Sequence, residues 1–225
     1  MKRFLPFVLI LAVACLALGG GTALYRAKRE TVFAPIPGEL ASANPGAVPP
    51  HFRGAARAPI VLEEFGDLQC PPCALLGGTL KKIEHENGGR VRVVFRHFPL
   101  AMHNHAVEAA RTAEAAGAQG KFWEMSDLLY ENQTTWNKEP DVTALFEEYA
   151  AKIGLDLARY KVDREDNKLL GRIGLDNQRG ISLEVKSTPT LFINNQRVPQ
   201  QFLNEDGLRA AIDNLASGKP AFPAS

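Results

Sequence analysis

Cysteine is scarce in this chain of 225 residues: there are three, Cys15, Cys70 and Cys73. With no second Cys-x-x-Cys, the pair at 70 and 73 is two ligands short of the four that a structural zinc site takes. Residues three apart are also a poor structural staple, because exported proteins use disulfides to join distant segments. Basic clusters are missing as well. Residues 1–29 hold five basic and no acidic residues, and the remainder carries 21 Lys and Arg against 25 Asp and Glu with no Lys/Arg stripe. That balance excludes a nucleic-acid partner. No internal repeat or heptad pattern is present. A content of 45% hydrophobic and 23% charged residues is that of an ordinary globular chain able to bury a core.

The N-terminus differs from the rest. Lys2 and Arg3 precede an uncharged run of 21 residues from Phe4 to Leu24, and Arg26, Lys28 and Arg29 follow it. This is an export segment. Its length reaches the ~20 residues that cross a bilayer, which favours a retained anchor, whereas Pro6 and Gly19 to Gly21 shorten the apolar part toward a cleaved signal peptide. "LAVAC" resembles a lipoprotein box ending at Cys15, but apolar sequence continues past that cysteine. Positive residues on both sides leave orientation unassigned. Residues 30–58, rich in Ala, Pro and Gly, read as a linker.

Beyond the linker the order of elements is legible. "IVLEEF" (60–65) is a short apolar run suited to a buried strand. From Pro71 the pattern turns helical through Leu76, Leu80 and Ile83; Gly77-Gly78 is a weak point, and Gly88-Gly89 is a stop. "VRVVFRHF" (91–98) is a second strand, completing a βαβ unit with a parallel pair. A helical block follows from about 102 to 182, with Phe122, Trp123, Met125, Leu128 and Leu129 in one segment and Val142, Leu145, Phe146, Tyr149 and Ile153 in the next. "PTLFIN" and "RV" are strands joined through Asn194-Asn195-Gln196, a hairpin turn. An amphipathic helix from about Asn204 to Ser217 uses Leu208, Ala211, Ile212 and Leu215. The chain thus reads β-α-β, helical insertion, β-β-α, with residues 59–217 as the domain and 218–225 as a tail.

In this order Cys70 ends a loop after a strand and Cys73 lies in the first turn of a helix. Free N–H groups and the positive end of the helix dipole stabilise a thiolate there, lowering the thiol pKa below its free value of ~8.5. Such a thiol is both an available nucleophile and a good leaving group. Pro71 and Pro72 suit the first turn and stiffen the dithiol. Pro72 also removes one N–H, and neither intervening residue is cationic, so the expected pKa lies above the ~3.5 of the strongest oxidant of this kind. His97, His103 and His105 are the histidines that could supplement the thiols at a metal; their ordinary role is in a core or at a helix start. The reading adopted is a redox pair with no metal or organic cofactor.

The chain resembles the DsbA-like branch of the thioredoxin fold, thiol-disulfide oxidoreductases of the bacterial cell envelope, over about residues 52–217. The resemblance is carried by "VLEEFGDLQCPPC", "VRVVFRHFPL", "HAVEAARTAEAAGAQGKFWEMSDLLYENQ" and "STPTLFINNQRV" in the family's order. It implies an α/β thioredoxin fold with an inserted helical domain. It further implies that Cys70 attacks or is attacked by substrate and that Cys73 resolves the mixed disulfide. Thr188 and Pro189 take the place of the family's cis-proline motif, which faces the disulfide and offers backbone to an extended peptide. Glu64 matches a buried acid that exchanges a proton with Cys73; the alternative for Glu64 or Glu63 is an exposed strand-end charge. Val185-Lys186-Ser187 and "VPQQF" depart from the family's glycines at these points. Expected partners are exported proteins with free or mispaired cysteines and a membrane redox partner, at the extracytoplasmic face. The leading function is an oxidase that forms disulfides. The alternatives are a reductase or isomerase kept reduced by a membrane donor, and a metal chaperone or thiol-based binding module.

Overall fold

The computed structural model describes residues 44–223. The N-terminal export segment, Cys15 and the first part of the linker lie outside the described residues. Five strands form one sheet: β1 (His51–Gly54), β2 (Ile60–Gly66), β3 (Val91–His97), β4 (Thr190–Ile193) and β5 (Gln196–Arg197), in the order β1-β3-β2-β4-β5. β2 and β3 run parallel, and the other pairs are antiparallel. The central pair is buried along its whole length, as strands covered on both faces are, and Glu63, Glu64, Arg92, Arg96 and His97 are buried with the apolar residues.

Helix α1 (Pro71–Asn87) crosses between β2 and β3 and buries Cys73, Leu76, Leu80 and Ile83. It stops where Gly88 takes φ +53°, a conformation that costs other residues energy. The even-numbered β2 residues Ile60 and Leu62 pack with α1 and with α8 (Glu205–Ala216), which is capped by Asn204 accepting from Gly207 N. The hairpin turn has φ +45° at Asn194 and +65° at Asn195, as a turn matched to strand twist requires.

The helical block is present between Ala106 and Ser182 as α2 (Ala106–Gly117), α3 (Phe122–Glu131), α4 (Gln133–Trp136), α5 (Thr143–Lys152), α6 (Leu157–Arg164) and α7 (Asn167–Ser182). Helix α7 begins at Asn167, because Asp166 caps it by accepting from Lys168 N. The core of the block gathers Trp136, Phe146 and Tyr160 with Ala109, Ala113, Ala115 and Ala116 of α2. α7 lies on the other face of the sheet, so close that a Cβ on Gly180 would come within 2.6 Å of the Phe98 ring.

Two boundaries move. The linker reading fails from residue 44 onward. Ala47 is fully buried, Asn44, Pro45 and Ala47 give their carbonyls to Arg179 and Arg96, and β1 pairs with β3. Backbone groups make this docking, so side-chain periodicity does not report it. At the other end, Ala221 and Phe222 are buried, and Phe222 stacks on Phe202 with centroids 5.1 Å apart. Part of the expected tail therefore closes the core.

Candidate active site

The loop between β2 and α1 is tied down at every residue. Asp67 accepts from Gln69 N and Leu100 N at 2.8 Å each, and His103 Nδ1 lies 2.8 Å from its Oδ2. Its carbonyl accepts from Cys70 N at 3.0 Å. Gln133 donates to the Leu68 carbonyl at 2.8 Å, and Gln69 accepts from His105 N at 2.6 Å. Cys70 is thereby fixed as the N-cap of α1, with Pro71 and Pro72 opening the helix. Cys70 and Cys73 carry free thiols and are buried, while both prolines are exposed.

Strand order brings in the second part. β4 pairs with β2, placing Thr190 opposite Phe65, so the Thr188–Pro189 segment that leads into β4 meets the cysteine loop. The Thr188–Pro189 bond is cis. The Cys70 thiol donates to the Thr188 carbonyl at 3.4 Å. Past Pro189 a cleft of about 310 Å³ runs from Pro72 and Leu75 to Leu203, with Gln200 of the glycine-free VPQQF segment in its lining.

The two sulfurs differ in acidity. The Cys70 pKa falls to about 6, chiefly because the Cys73 thiol hydrogen-bonds to its sulfur. Burial and Asp67 oppose this, while the Thr188 side chain and the Cys73 backbone N–H support it. The Thr188 hydroxyl is buried without a partner while the sulfur is a thiol, so it is free to donate once the sulfur is charged. Burial and the bond to Cys70 push the Cys73 thiol far up, with the nearby Glu64 adding to the effect. The Cys73 thiol thus acts on Cys70 together with the Cys73 backbone N–H at the start of α1.

Glu64 is buried, not an exposed strand-end charge, with 2% of its surface accessible. Burial raises its pKa to about 8, against the pull of Arg53. Its neighbour Glu63 is equally buried, but on the α7 side of β2, where it pairs with Arg96 and Arg179. His97 sits 3.4 Å from the buried Glu114, His103 holds Asp67, and His105 precedes α2. Among the described residues no group of three or more His, Cys, Asp and Glu side chains is placed to hold a metal ion. Sequence reasoning missed Asp67, Arg53 and Tyr130. Asp67 had a signal, a carboxylate two residues before a loop N–H; Arg53 and Tyr130 had none, because the elements that bring them to Glu64 are remote in the chain.

The thioredoxin family model matches residues 47–214, and Pseudomonas aeruginosa DsbA2 is 30% identical, covering 74% of this chain and 93% of that one with a TM-score of 0.58. The chain belongs to the thioredoxin family, in its DsbA-like branch. It is by family a disulfide oxidoreductase. This DsbA-like chain also shares its fold with BdbD of Bacillus subtilis, at a TM-score of 0.66 and 21% identity over 79% of this chain and all of that one. Among curated proteins it is similar to the Na(+)/H(+) antiporter NhaA 1 of Mycolicibacterium vanbaalenii, 35% identical over 84% of this chain but only 30% of the antiporter. The DsbA-like chain therefore spans less than a third of the curated relatives it matches.

Proposed function

We propose that the chain exchanges a Cys70–Cys73 disulfide with cysteines of exported proteins at the extracytoplasmic face, chiefly as an oxidase that a membrane partner reoxidises. The observation that carries this is the placement of Cys70 at the start of α1 against the Thr188–Pro189 segment, its thiol donating to the Thr188 carbonyl at 3.4 Å with Cys73 buried in the same turn; the lowered pKa of Cys70 and the raised one of Cys73 accord with it. A substrate thiolate attacks Cys70, the Cys70–Cys73 bond breaks, and Cys73 leaves as a thiolate that takes a proton from Glu64. A second substrate thiolate attacks the substrate sulfur of the mixed disulfide and releases Cys70 as a stable thiolate. The substrate loses two electrons and the dithiol gains them. Stabilising that thiolate favours the reduced enzyme and makes the disulfide oxidising. A pKa of about 6 lies between ~3.5 for the strongest oxidant of this fold and ~7 for thioredoxin, so the expected potential lies between about −120 and −270 mV.

Thr188 and Pro189 would present backbone to an extended peptide beside the Pro72–Leu203 cleft, and Pro71 and Pro72 tune the dithiol by stiffening it without adding charge. No metal or organic cofactor enters this cycle. The export segment supports the location, whether it anchors the chain or is removed. The transport named for the antiporter relatives belongs to proteins far longer than the shared segment and is not carried over.

The test is to trap the in-cell state of Cys70 and Cys73 with a thiol-reactive mass tag. A mostly oxidised pair supports the oxidase; a mostly reduced pair assigns a reductase or isomerase instead. Cys73→Ala should accumulate mixed disulfides through Cys70, and Cys70→Ala should accumulate none. Equal trapping by both variants would overturn the division of roles.

A further inference from the structure

Asp67 both fixes the nucleophile and opposes it. Its carboxylate accepts from Gln69 N and Leu100 N at 2.8 Å each, and its carbonyl accepts from Cys70 N at 3.0 Å, so it shapes the loop that ends at the reactive sulfur. Its side chain is wholly covered, and its charge works against the Cys70 thiolate. A third contact answers that conflict: His103 Nδ1 lies 2.8 Å from Asp67 Oδ2. A carboxylate only accepts hydrogen bonds, so Nδ1 carries a proton and Nε2 is the nitrogen that gains the second one.

The loop is held without any charge on the histidine. Two backbone N–H groups already bind the carboxylate, and Gln69 ties the same loop to His105 N at 2.6 Å. What the imidazole adds is a charge that can vary. Its side chain is 20% exposed while that of Asp67 is 0% exposed, so the ring exchanges protons with solvent and the carboxylate does not. The other titratable groups that face Asp67 are Cys70, Cys73 of α1 and Tyr130 of α3, and none of these can become a cation. His105, the next histidine in the chain, is turned instead to the Glu139 carbonyl at 2.8 Å and toward Asp141.

We propose that His103 is a positioning residue that makes the strength of the oxidant depend on pH: its protonated ring cancels the Asp67 charge and so stabilises the Cys70 thiolate, and its neutral ring restores the opposition. The inference rests on Cys70 being the sulfur that carries the charge. When a substrate dithiol reduces the Cys70–Cys73 bond, two electrons enter and the substrate closes its own disulfide. Of the two protons it gives up, one ends on Cys73 and the other passes to solvent or to His103, while Cys70 stays a thiolate above about 6. Where His103 is charged the reduced protein gains, and the disulfide is the stronger oxidant. Histidine changes charge between about pH 5 and 8, so the effect falls within the range in which the thiolate exists. Linkage requires the reverse as well: the thiolate must help His103 to hold its proton.

Proton NMR of the His103 ring in the native oxidised and reduced proteins tests that reciprocity, and the imidazole should keep its proton to higher pH in the reduced protein. Glutathione equilibration then compares the native protein with His103→Asn, whose amide N–H can stand where Nδ1 stands but carries no charge. At pH 6 the native constant for reduction should exceed that of the variant about twofold to threefold, the equivalent of up to half a pH unit, and the two should converge by pH 8. Mass analysis of the reduced protein after brief iodoacetamide labelling locates the charged sulfur. If the label falls on Cys73, the underlying reading of the dithiol fails. If it falls on Cys70 while His103 titrates alike in both redox states, the role of His103 alone is overturned. A native-to-variant ratio that is the same at pH 6 and pH 8 overturns it too, because a histidine that only braces the loop would give that result. Should the asparagine variant not fold, the comparison of the two native redox states decides.

Discussion

Glu63 and Glu64 are adjacent on β2 and equally buried, each 2% exposed, yet they are held in opposite states. Glu63 faces α7. Burial alone would raise its pKa, but Arg179 bonds it through Nε at 2.8 Å and Nη2 at 2.9 Å and Arg96 bonds it at 2.8 Å, and the two guanidiniums hold it below the usual carboxylate range. Glu64 faces α1 and the cysteines, finds no bonding partner for Oε1, and rises to about 8. A strand sends successive side chains to opposite faces, so one residue of displacement separates a paired structural charge from the acid proposed to exchange a proton with Cys73. The first is stabilised in one ionisation state. The second sits near the point where both states are accessible, as an acid-base group needs.

The largest effect should come from breaking the structural member. Glu63→Ala leaves Arg179 in the interior without its carboxylate and Arg96 with Asp176 alone, at 2.9 Å, and should cost about 3–5 kcal/mol, a large part of a typical total of about 5–15 kcal/mol. Urea denaturation at pH 7 measures this, and a loss under about 1 kcal/mol would show that the pairing is not the main prop of that face. Because the native pKa of Glu63 is lowered, its contribution should be present above the unfolded pKa and disappear as pH falls through the native one.

Removing the acid next door should have the opposite sign. With Glu64 near 8 when folded and 4.5 when unfolded, the native state binds more protons between those values, and stability falls as pH rises across that window. Glu64→Gln should therefore stabilise the protein by up to about 3 kcal/mol at pH 7 and by little at pH 4. The figure is an upper limit, because the amide still needs partners. It should also slow closure onto Cys70 by about 10²-fold. A variant less stable than native at pH 8 would contradict the account of Glu64.

Smaller effects test how the sulfurs read their surroundings. The Asp67 charge opposes the Cys70 thiolate, so Asp67→Asn should lower the Cys70 pKa from about 6 by roughly half a pH unit and make the disulfide more oxidising. Thr188→Val removes a hydroxyl that supports the thiolate, and should raise the same pKa by a few tenths of a pH unit and make the disulfide slightly more reducing. Ultraviolet thiolate titration with glutathione equilibration reads both. Identical shifts in the two variants would assign the change to disturbed packing.

Element order was legible in the residues themselves, because it follows from local patterns. β2 and β3 are apolar runs, α1 spaces its buried residues three and four apart, and Asn194-Asn195 marks the hairpin. The placement of Cys70 at a helix start is local in the same way. What escaped was carried by backbone groups or by distance. Residues 44–54 dock through their carbonyls and through strand pairing, so composition alone reads as a linker. Phe222 packs on Phe202 after a stretch that has no pattern. The motif around the dithiol, from Glu64 to Cys73, was in the sequence. The ionisation of its members was not, because pKa depends on what surrounds a group in space. Arg179 from α7 and Arg96 from β3 charge one glutamate, whereas the other is desolvated beside Arg53 from β1 and Tyr130 from α3, elements far from it in the chain. The strand-to-helix step alone positions a reactive thiol; only the folded assembly determines which neighbouring acid can serve it.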